Sequence, residues 1–218
     1  MSSFNLEVEF IKFANENNLK KVQACIDPEV DVNATDDDGA TAAHRAARGG
    51  HHEVIRLLAV TGQVDWNKVN HFGWTPLHTA LFGGDHEMAA IILQQDNLNL
   101  SVITPGGYTL AHLAVLTRGV RCVEILAKQE NVNCWNIPNK LGDIPITVAV
   151  MFGNPDILKI LLKCPRVDPN MKDGNGDSAV MKAIKEEEIG LARMLIKCPR
   201  VDLGTKDGNG SSLQRIAR

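Results

Sequence analysis

The chain has 218 residues, a length that allows one large domain or two small ones with a substantial core. With 44% hydrophobic and 22% charged residues, it has the balance of a globular protein and is too apolar for a disordered one. The net charge of −3 gives no basic field that would attract nucleic acid or acidic lipid headgroups. Nucleic-acid binding is therefore disfavoured as a function.

The N-terminal sequence MSSFNLEVEF contains acidic residues and lacks the basic region and apolar core of a secretory signal. Apolar residues further along occur in short clusters such as 54–60 and 157–162, far below the roughly 18 residues that span a bilayer. We expect no membrane association and a cytoplasmic location, with the nucleus as the alternative.

The cysteines form neither a disulfide framework nor a metal-ligand pattern. They are odd in number and contain no C-x-x-C pair: Cys25, Cys122, Cys134, Cys164 and Cys198. The last two occupy the same place in a repeated KCPRVD string, and such equivalent residues usually lie too far apart to bond. We expect reduced thiols and no cofactor.

Six glycines recur with spacings of 34, 34, 35, 34 and 34 residues: Gly39, Gly73, Gly107, Gly142, Gly176 and Gly210. Each of the first five is followed by a short apolar segment and, about 15 residues on, by a second such as EVIRLL or DILKILL. Apolar residues at i, i+3 and i+4, between loops rich in Asp, Asn and Gly, predict a helix, a turn, a longer helix and a β-turn loop. Such a pair cannot cover its own apolar face, so it needs stacked neighbours.

The clearest motif is GWTPLHTA from Gly73, and related strings are GATAAHRA from Gly39 and GYTLAHLA from Gly107. The chain resembles the ankyrin repeat family, whose hallmark is T-P-L-H-x-A, over nearly its whole length. The resemblance implies an all-α repeat solenoid of helix-turn-helix units joined by β-hairpin or β-turn loops. Two departures stand out: repeats four and five lack the histidine, and Arg118 and Glu187 replace the usual glycine between the helices.

We expect one domain, 1–218, with about five full repeats between two caps. The boundaries are 1–35 for the N-terminal cap, then 36–69, 70–103, 104–138, 139–172, 173–206, and a partial unit at 207–218. The partial unit stops after one predicted helix, 212–218. We therefore expect that the chain was cut from a longer protein; the alternative is that a single helix is the natural C-terminal cap.

The histidines of the motif, His44, His78 and His112, recur at the repeat period. Metal ligands must converge within about 2 Å of one point, whereas packed helices lie about 10 Å apart, so we predict no metal site. The resemblance implies instead that each histidine fixes its loop by hydrogen bonds, with Thr41, Thr75 and Thr109 as partners. At the turns between helices, His51, His52 and His86 are expected to be solvated.

No sequence motif for catalysis is present. The strings at 172–176 and 206–210 lack the Lys-Ser/Thr of a phosphate loop. The acidic run 36–38 lacks the alternating ligands of a calcium loop, and we interpret it as a solvated tip or a contact for a basic partner. We therefore predict that the protein is not an enzyme.

The resemblance places the binding surface on the loop tips and the exposed side of each first helix, which line a concave groove. The predicted partner-binding residues are Arg45, Arg48, His71, Phe72, Trp74, Thr79, Phe82, Tyr108, Leu113, Leu116, Lys140, Leu141, Met151, Phe152, Lys182 and Lys185. This set is charged at both ends and apolar or aromatic in the centre. An alternative for the aromatic members is that some fold back over a neighbouring loop, while Trp66 and Trp135 are expected to brace the hairpins.

The leading hypothesis is a monomeric protein–protein interaction module that binds a peptide or a helix with an apolar face. The alternative is a structural spacer or regulatory domain of a larger protein, with nothing in the groove. A VDxN-like turn precedes each loop tip, at Val64–Asn67, in shortened form at Val132–Asn133, and at Val167–Asn170. The resemblance implies that Asn67 and Asn170 are positions for an asparaginyl hydroxylase.

Overall fold

The computed structural model describes residues 3–26 and 30–213, and these ranges contain twelve α-helices. In chain order they are α1 (Ser3–Asn15), α2 (Leu19–Cys25), α3 (Ala42–Gly49), α4 (His52–Val60), α5 (Pro76–Phe82), α6 (His86–Ile92), α7 (Leu110–Leu116), α8 (Val120–Lys128), α9 (Pro145–Met151), α10 (Pro155–Lys163), α11 (Ala179–Lys185) and α12 (Ile189–Ile196). Within the same ranges there is no β-strand, only an isolated antiparallel bridge between Lys206 and Ser212. The predicted helix at 212–218 lies almost entirely outside the described residues.

The chain divides into two compact parts, Met1–Pro105 and Gly106–Arg218. In the N-terminal part, each first helix pairs with its second helix, α1 packs on α3 and α3 on α5, while α2 packs on α4 and α4 on α6. In the C-terminal part, α7, α9 and α11 pack in sequence, as do α8, α10 and α12. Each part is thus a stack of helix pairs in two layers, as the apolar stripes of the sequence require.

Local sequence explains where the first helices begin. In α5, Thr75 is extended and its hydroxyl accepts a hydrogen bond from the backbone N–H of His78, three residues on (3.3 Å). The ring of His78 reciprocates by accepting from the backbone N–H of Thr75 (3.4 Å). Pro76 then occupies the first turn, where its missing N–H costs nothing. The same reciprocal cap starts α3 and α7.

Repeat four keeps this cap without a histidine. The hydroxyl of Thr147 accepts from the backbone N–H of Ile144 (3.2 Å) and donates to the carbonyl of the same residue (2.9 Å). A hydroxyl in the third helical position therefore accepts the backbone hydrogen bond that the imidazole accepts in repeats one to three. This explains how the sequence departs from the T-P-L-H pattern without losing the start of α9.

The two tryptophans that precede an asparagine are both buried: Trp66 is 6% exposed and Trp135 is 1% exposed. This burial agrees with the prediction that they brace the loops. The rest of the core comes from helix residues, with fully buried side chains such as Leu81, Met88 and Ile92 on α5 and α6. Burial of these apolar surfaces between stacked pairs is the main stabilising term of the fold.

The turns between first and second helices all use a residue with positive φ. Arg118 (φ 54°) and Glu187 (φ 58°) adopt this conformation where other repeats have glycine. The turns are therefore retained, although an L-residue there is less stable than glycine.

We expect Glu187→Gly to raise the free energy of unfolding by about 0.5–1 kcal/mol, because glycine adopts positive φ without steric cost. Glu186 is the matched control, since it precedes Glu187 with an ordinary φ of −86°. Glu186→Gly should instead lower the stability by a similar amount. Urea denaturation of both variants measures the difference, and equal effects of the same sign would refute the strain at Glu187.

Candidate partner-binding surface

A single side chain shapes the hairpin tip in most repeats. In repeat two, the carboxamide oxygen of Asn70 accepts from the backbone N–H of Phe72 (3.0 Å) and of Trp74 (3.1 Å). Gly73, with φ +70°, closes the turn, and a Cβ on it would lie 2.5 Å from Cδ of Pro105. The equivalent oxygens belong to Asp36, Asn139, Asp173 and Asp207. From the sequence such residues are expected only as generic turn formers, so this shared function was not predicted.

The motif histidines fix each tip to the following stretch of chain. The Nε2 atoms of His44 and His78 lie 2.8 Å from the carbonyl oxygen of Trp74 and 3.2 Å from that of Val102, respectively. In the C-terminal part, Nε2 of His112 lies 3.0 Å from the carbonyl oxygen of Asp143. Since a carbonyl only accepts, each Nε2 carries the proton and each Nδ1 accepts.

Burial disfavours the charged imidazolium in all three motif histidines. It lowers the pKa of His44 and of His112 below the usual range, and lowers that of His78 to about 4. The structure thus gives these residues a loop-fixing function. In the part of the chain that the structure describes, no group of three His, Cys, Asp or Glu residues could hold a metal ion.

The N-terminal part carries an aromatic cluster that the sequence predicted. Phe72 at the tip is 63% exposed and Phe82 at the end of α5 is 53% exposed. Trp74 is half-buried, and its ring meets that of Phe82 edge to face with centroids 4.8 Å apart. Val69 and Ile103, one repeat apart, are also exposed, and neither was predicted from the sequence. We call Phe72, Trp74 and Phe82 the aromatic row.

The C-terminal part has a separate apolar surface. Leu141 at the hairpin tip, Met151 at the end of α9 and Phe152 beside it are exposed. Arg118 lies over the Phe152 ring, with its guanidinium carbon 5.6 Å from the centroid. Tyr108 is half-buried and meets the ring of His112 edge to face, at 5.9 Å.

The predicted site residues therefore fall into three groups. Exposed ones are Arg48, His71, Phe72, Phe82, Lys140, Leu141, Met151, Phe152 and Lys185. Half-buried ones are Arg45, Trp74, Thr79, Tyr108 and Leu116. Buried ones are Leu113 and Lys182, which are 3% and 8% exposed. The prediction that Leu113 and Lys182 are open to a partner is wrong.

Three of the predicted basic contacts are held within the fold by ion pairs. Lys182 lies 3.5 Å from the buried carboxylate of Asp173. Lys185 bridges Asp177 (2.6 Å) and Asp207 (3.3 Å), which ties α11 to the next hairpin. Arg45 contacts the carboxylates of two aspartates in its own repeat. These side chains stabilise their loops, so they are weaker candidates for contacts than the sequence suggested.

The acidic run at the first tip is more ordered than the predicted solvated loop. Asp36 caps its own hairpin and binds Arg45 at 2.6 Å. Partial burial opposes ionisation of Asp36, but the hydrogen bonds from Arg45 and from the backbone outweigh it and lower the pKa of the carboxyl. Asp37 remains exposed.

The prediction of solvated histidines between helices is correct for His86 alone, which is exposed. His52 is half-buried and its Nε2 lies 2.8 Å from the carboxylate of Asp85. Nε2 of His51 lies 2.9 Å from the carbonyl oxygen of Asn15. Both histidines therefore connect their helix pair to a neighbouring helix pair. The repeat period of the sequence does not predict these contacts.

The asparagines of the VDxN turns form a ladder between consecutive loops. Asn136 donates to the carbonyl of Arg166 (2.7 Å) and accepts from the backbone N–H of Asp168 (2.8 Å). The same pair of bonds is made by Asn33, Asn67 and Asn170. The assignment of the repeat-three turn to Val132–Asn133 is therefore wrong, because Asn136 occupies the equivalent place. Hydroxylation of Asn67 and Asn170 stays a prediction.

Stacked helix pairs joined by turns of positive φ, with Asx-capped hairpin tips and, in three repeats, a histidine that fixes the loop, define a helical repeat protein. Sequence comparison agrees, since the model for ankyrin repeats (three copies) matches residues 10–102, 57–136 and 111–207. The chain belongs to the ankyrin repeat family. The predicted all-α repeat solenoid is thereby confirmed.

Comparison with solved structures gives the same fold. The crystal structure of the ankyrin repeat domain of Bcl-3, a unique member of the IkappaB protein family, matches with a TM-score of 0.87. The sequences are 21% identical, and the match covers 96% of this chain and 93% of that one. No curated protein sequence matches the chain. Ankyrin repeats are in general protein–protein interaction modules, and no helix among the described residues is long and apolar enough to cross a membrane.

Proposed function

We propose that this chain binds a protein partner through the exposed apolar side chains of its hairpin tips and first helices. The observation that carries the proposal is the aromatic row, because Phe72 and Phe82 are more than half exposed at positions that the core does not use. Fully burying an exposed phenylalanine contributes about 1.5–3 kcal/mol, so covering the exposed parts of both rings contributes substantially to an interface.

Hydrogen bonds and a ring contact hold the aromatic row in place, which supports its function as a preformed contact surface. Asn70 caps the tip that carries Phe72, and His44 binds the carbonyl of Trp74 (2.8 Å). Phe82 is held against the Trp74 ring. Side chains fixed in this way lose little conformational freedom on binding, which raises affinity.

In the C-terminal part, Leu141, Met151 and Phe152 form a second candidate contact surface. The other residues predicted to bind a partner on hairpin tips and first helices of this part are Tyr108, Leu116 and Lys140. We propose that this surface also contacts protein. Met151 adds adaptability, since its side chain is flexible and polarizable.

The alternative function is a structural spacer or regulatory domain of a larger multidomain protein, with these surfaces unoccupied. We favour partner binding because a spacer has no need of large aromatic side chains in water. We further propose that the chain acts as a monomer in the cytoplasm, with the nucleus as the alternative location. The proposal includes no catalysis, cofactor or nucleic-acid contact, in keeping with the net charge of −3.

Replacing both exposed phenylalanines tests the proposal. Phe72→Ser/Phe82→Ser should reduce capture of partner proteins from cell lysate at least about tenfold, because each anchor contributes more than about 1 kcal/mol. Quantitative mass spectrometry of the captured proteins measures the loss. The matched control is Val60→Ser, since Val60 is 81% exposed at the end of a second helix. Circular dichroism checks that all variants fold.

An unchanged set of captured proteins with the double variant would reject the aromatic row as the contact surface and favour the spacer. A loss of the same size with Val60→Ser would place the contact on the second helices.

A further inference from the structure

The aromatic row runs from the tip of a hairpin to the end of a helix. Phe72 lies at the tip, Trp74 at the base of the hairpin and Phe82 at the last residue of α5. The 4.8 Å contact between the Trp74 and Phe82 rings makes the lower half of the row continuous.

Repeat one presents charges at two of the three positions that are aromatic in repeat two. One period before the aromatic row stand Asp38, Ala40 and Arg48. The two repeats are direct neighbours, since α3 packs on α5 and the backbone N–H of His71 donates to the carbonyl of Asp38 (2.9 Å). Packed helices lie about 8–10 Å apart, so this charged row runs beside the aromatic one.

The charges of repeat one have opposite signs at the two ends. At the tip, Asp36 and Asp38 share the single guanidinium of Arg45 (2.6 and 2.5 Å), and Asp37 is exposed without an ion pair to any described residue. The tip is therefore net negative. At the helix end, Arg48 is exposed and likewise has no ion pair within 3–26 or 30–213. That end is positive.

We infer that repeats one and two bind an amphipathic protein segment with large apolar side chains along one edge, a basic residue near the hairpin tips and an acidic residue near the helix ends. This inference rests on the proposed function and specifies its partner. Opposite charges fix the direction in which the segment lies, since the reverse orientation places like charges together.

Selection from a random library of 12-residue peptides displayed on phage tests the inference. The target is the full 218-residue chain, with Phe72→Ser/Phe82→Ser for counter-selection. We expect peptides that combine apolar residues with a basic residue on one side and an acidic residue on the other, always in one order. Fluorescence polarisation of the best labelled peptide then gives its affinity.

Charge reversal at the helix end provides the specific readout. Arg48→Glu should weaken the selected peptide about three- to tenfold, and a lysine in place of its acidic residue should restore most of the affinity. Lys20→Glu is the matched control, since Lys20 is an exposed cation on the second helix α2. That control should leave the affinity unchanged.

The outcomes separate the two proposals. Peptides that need Phe72 and Phe82 but show no ordered charge pattern, or that ignore Arg48→Glu, would overturn this inference and leave the proposed function in place. Failure to select any peptide that depends on the two phenylalanines would overturn both.

Discussion

Acidification from pH 6.5 to pH 4 should lower the free energy of unfolding by about 3 kcal/mol through His78 alone. Burial lowers the pKa of His78 to about 4, whereas an unfolded chain has the ordinary value of 6.5. As the pH falls below 6.5, the unfolded state takes up a proton that the folded state refuses. Stability from the neutral imidazole is therefore complete above pH 6.5, declines through this window and falls no further below about pH 4.

His78→Gln separates this titration from the other acid effects. The variant is expected to be less stable at pH 7, because it loses the bonds of the ring to Thr75 and to the carbonyl of Val102. It should lose about 2–3 kcal/mol less between pH 6.5 and pH 4 than the original chain. Urea denaturation at several pH values measures both quantities. His86→Gln, at an exposed position, should keep the original pH dependence. The same dependence of stability on pH in all three proteins would show that His78 is not responsible for the loss.

Truncation of Trp135 should be the most damaging single change in the C-terminal part. Its side chain is 1% exposed, so Trp135→Ala removes a large buried surface and leaves a cavity, at a cost of about 3–5 kcal/mol. The midpoint of urea denaturation, followed by circular dichroism, measures the loss. Trp135 was predicted from the sequence to brace its hairpin, and it directly precedes Asn136 of the asparagine ladder.

Trp135→Phe tests which part of the indole matters. The buried Nε1 atom has no hydrogen-bond partner among the described residues, so replacing it removes an unsatisfied donor. We expect a loss of about 1 kcal/mol, well below that of the alanine variant, because the phenyl ring fills most of the cavity. Equal losses for both variants would contradict the conclusion that packing of the aromatic ring stabilises the loop.

The repeat fold could be predicted because its signal is long-range and redundant. Six glycines in register fix the period, and apolar stripes fix the helices, so local departures such as Thr147 or Glu187 did not obscure it. The aromatic row was also predictable, since Phe72 and Phe82 fall at positions that core packing does not need.

Exposure at the remaining site positions could not be predicted from the period. Leu113 and Thr79 occupy equivalent helix positions one period apart, yet Leu113 is buried and Thr79 is half-buried. Lys182 is buried because Asp173 lies 3.5 Å away, a pairing that depends on a loop nine residues earlier. The neighbouring side chains determine how exposed a residue is. These neighbours differ between repeats even though the backbones of the repeats are equivalent.

The asparagine ladder was misplaced for a related reason. The third spacing is 35 residues instead of 34, so matching letters near Val132 pointed to Asn133 although Asn136 makes the hydrogen bonds. An inserted residue shifts a motif without altering its chemistry. Only the donor and acceptor positions on the next loop identify the correct asparagine.

Site-specific photo-crosslinking tests whether the aromatic row contacts a partner protein. The photoreactive residue p-benzoylphenylalanine would replace Phe72 in one variant and Val60 in another, both of which are highly exposed. Crosslinking in intact cells, followed by mass spectrometry, should yield a specific protein adduct from position 72 and only background from position 60. An adduct from position 60 with none from position 72 would contradict the proposed binding surface.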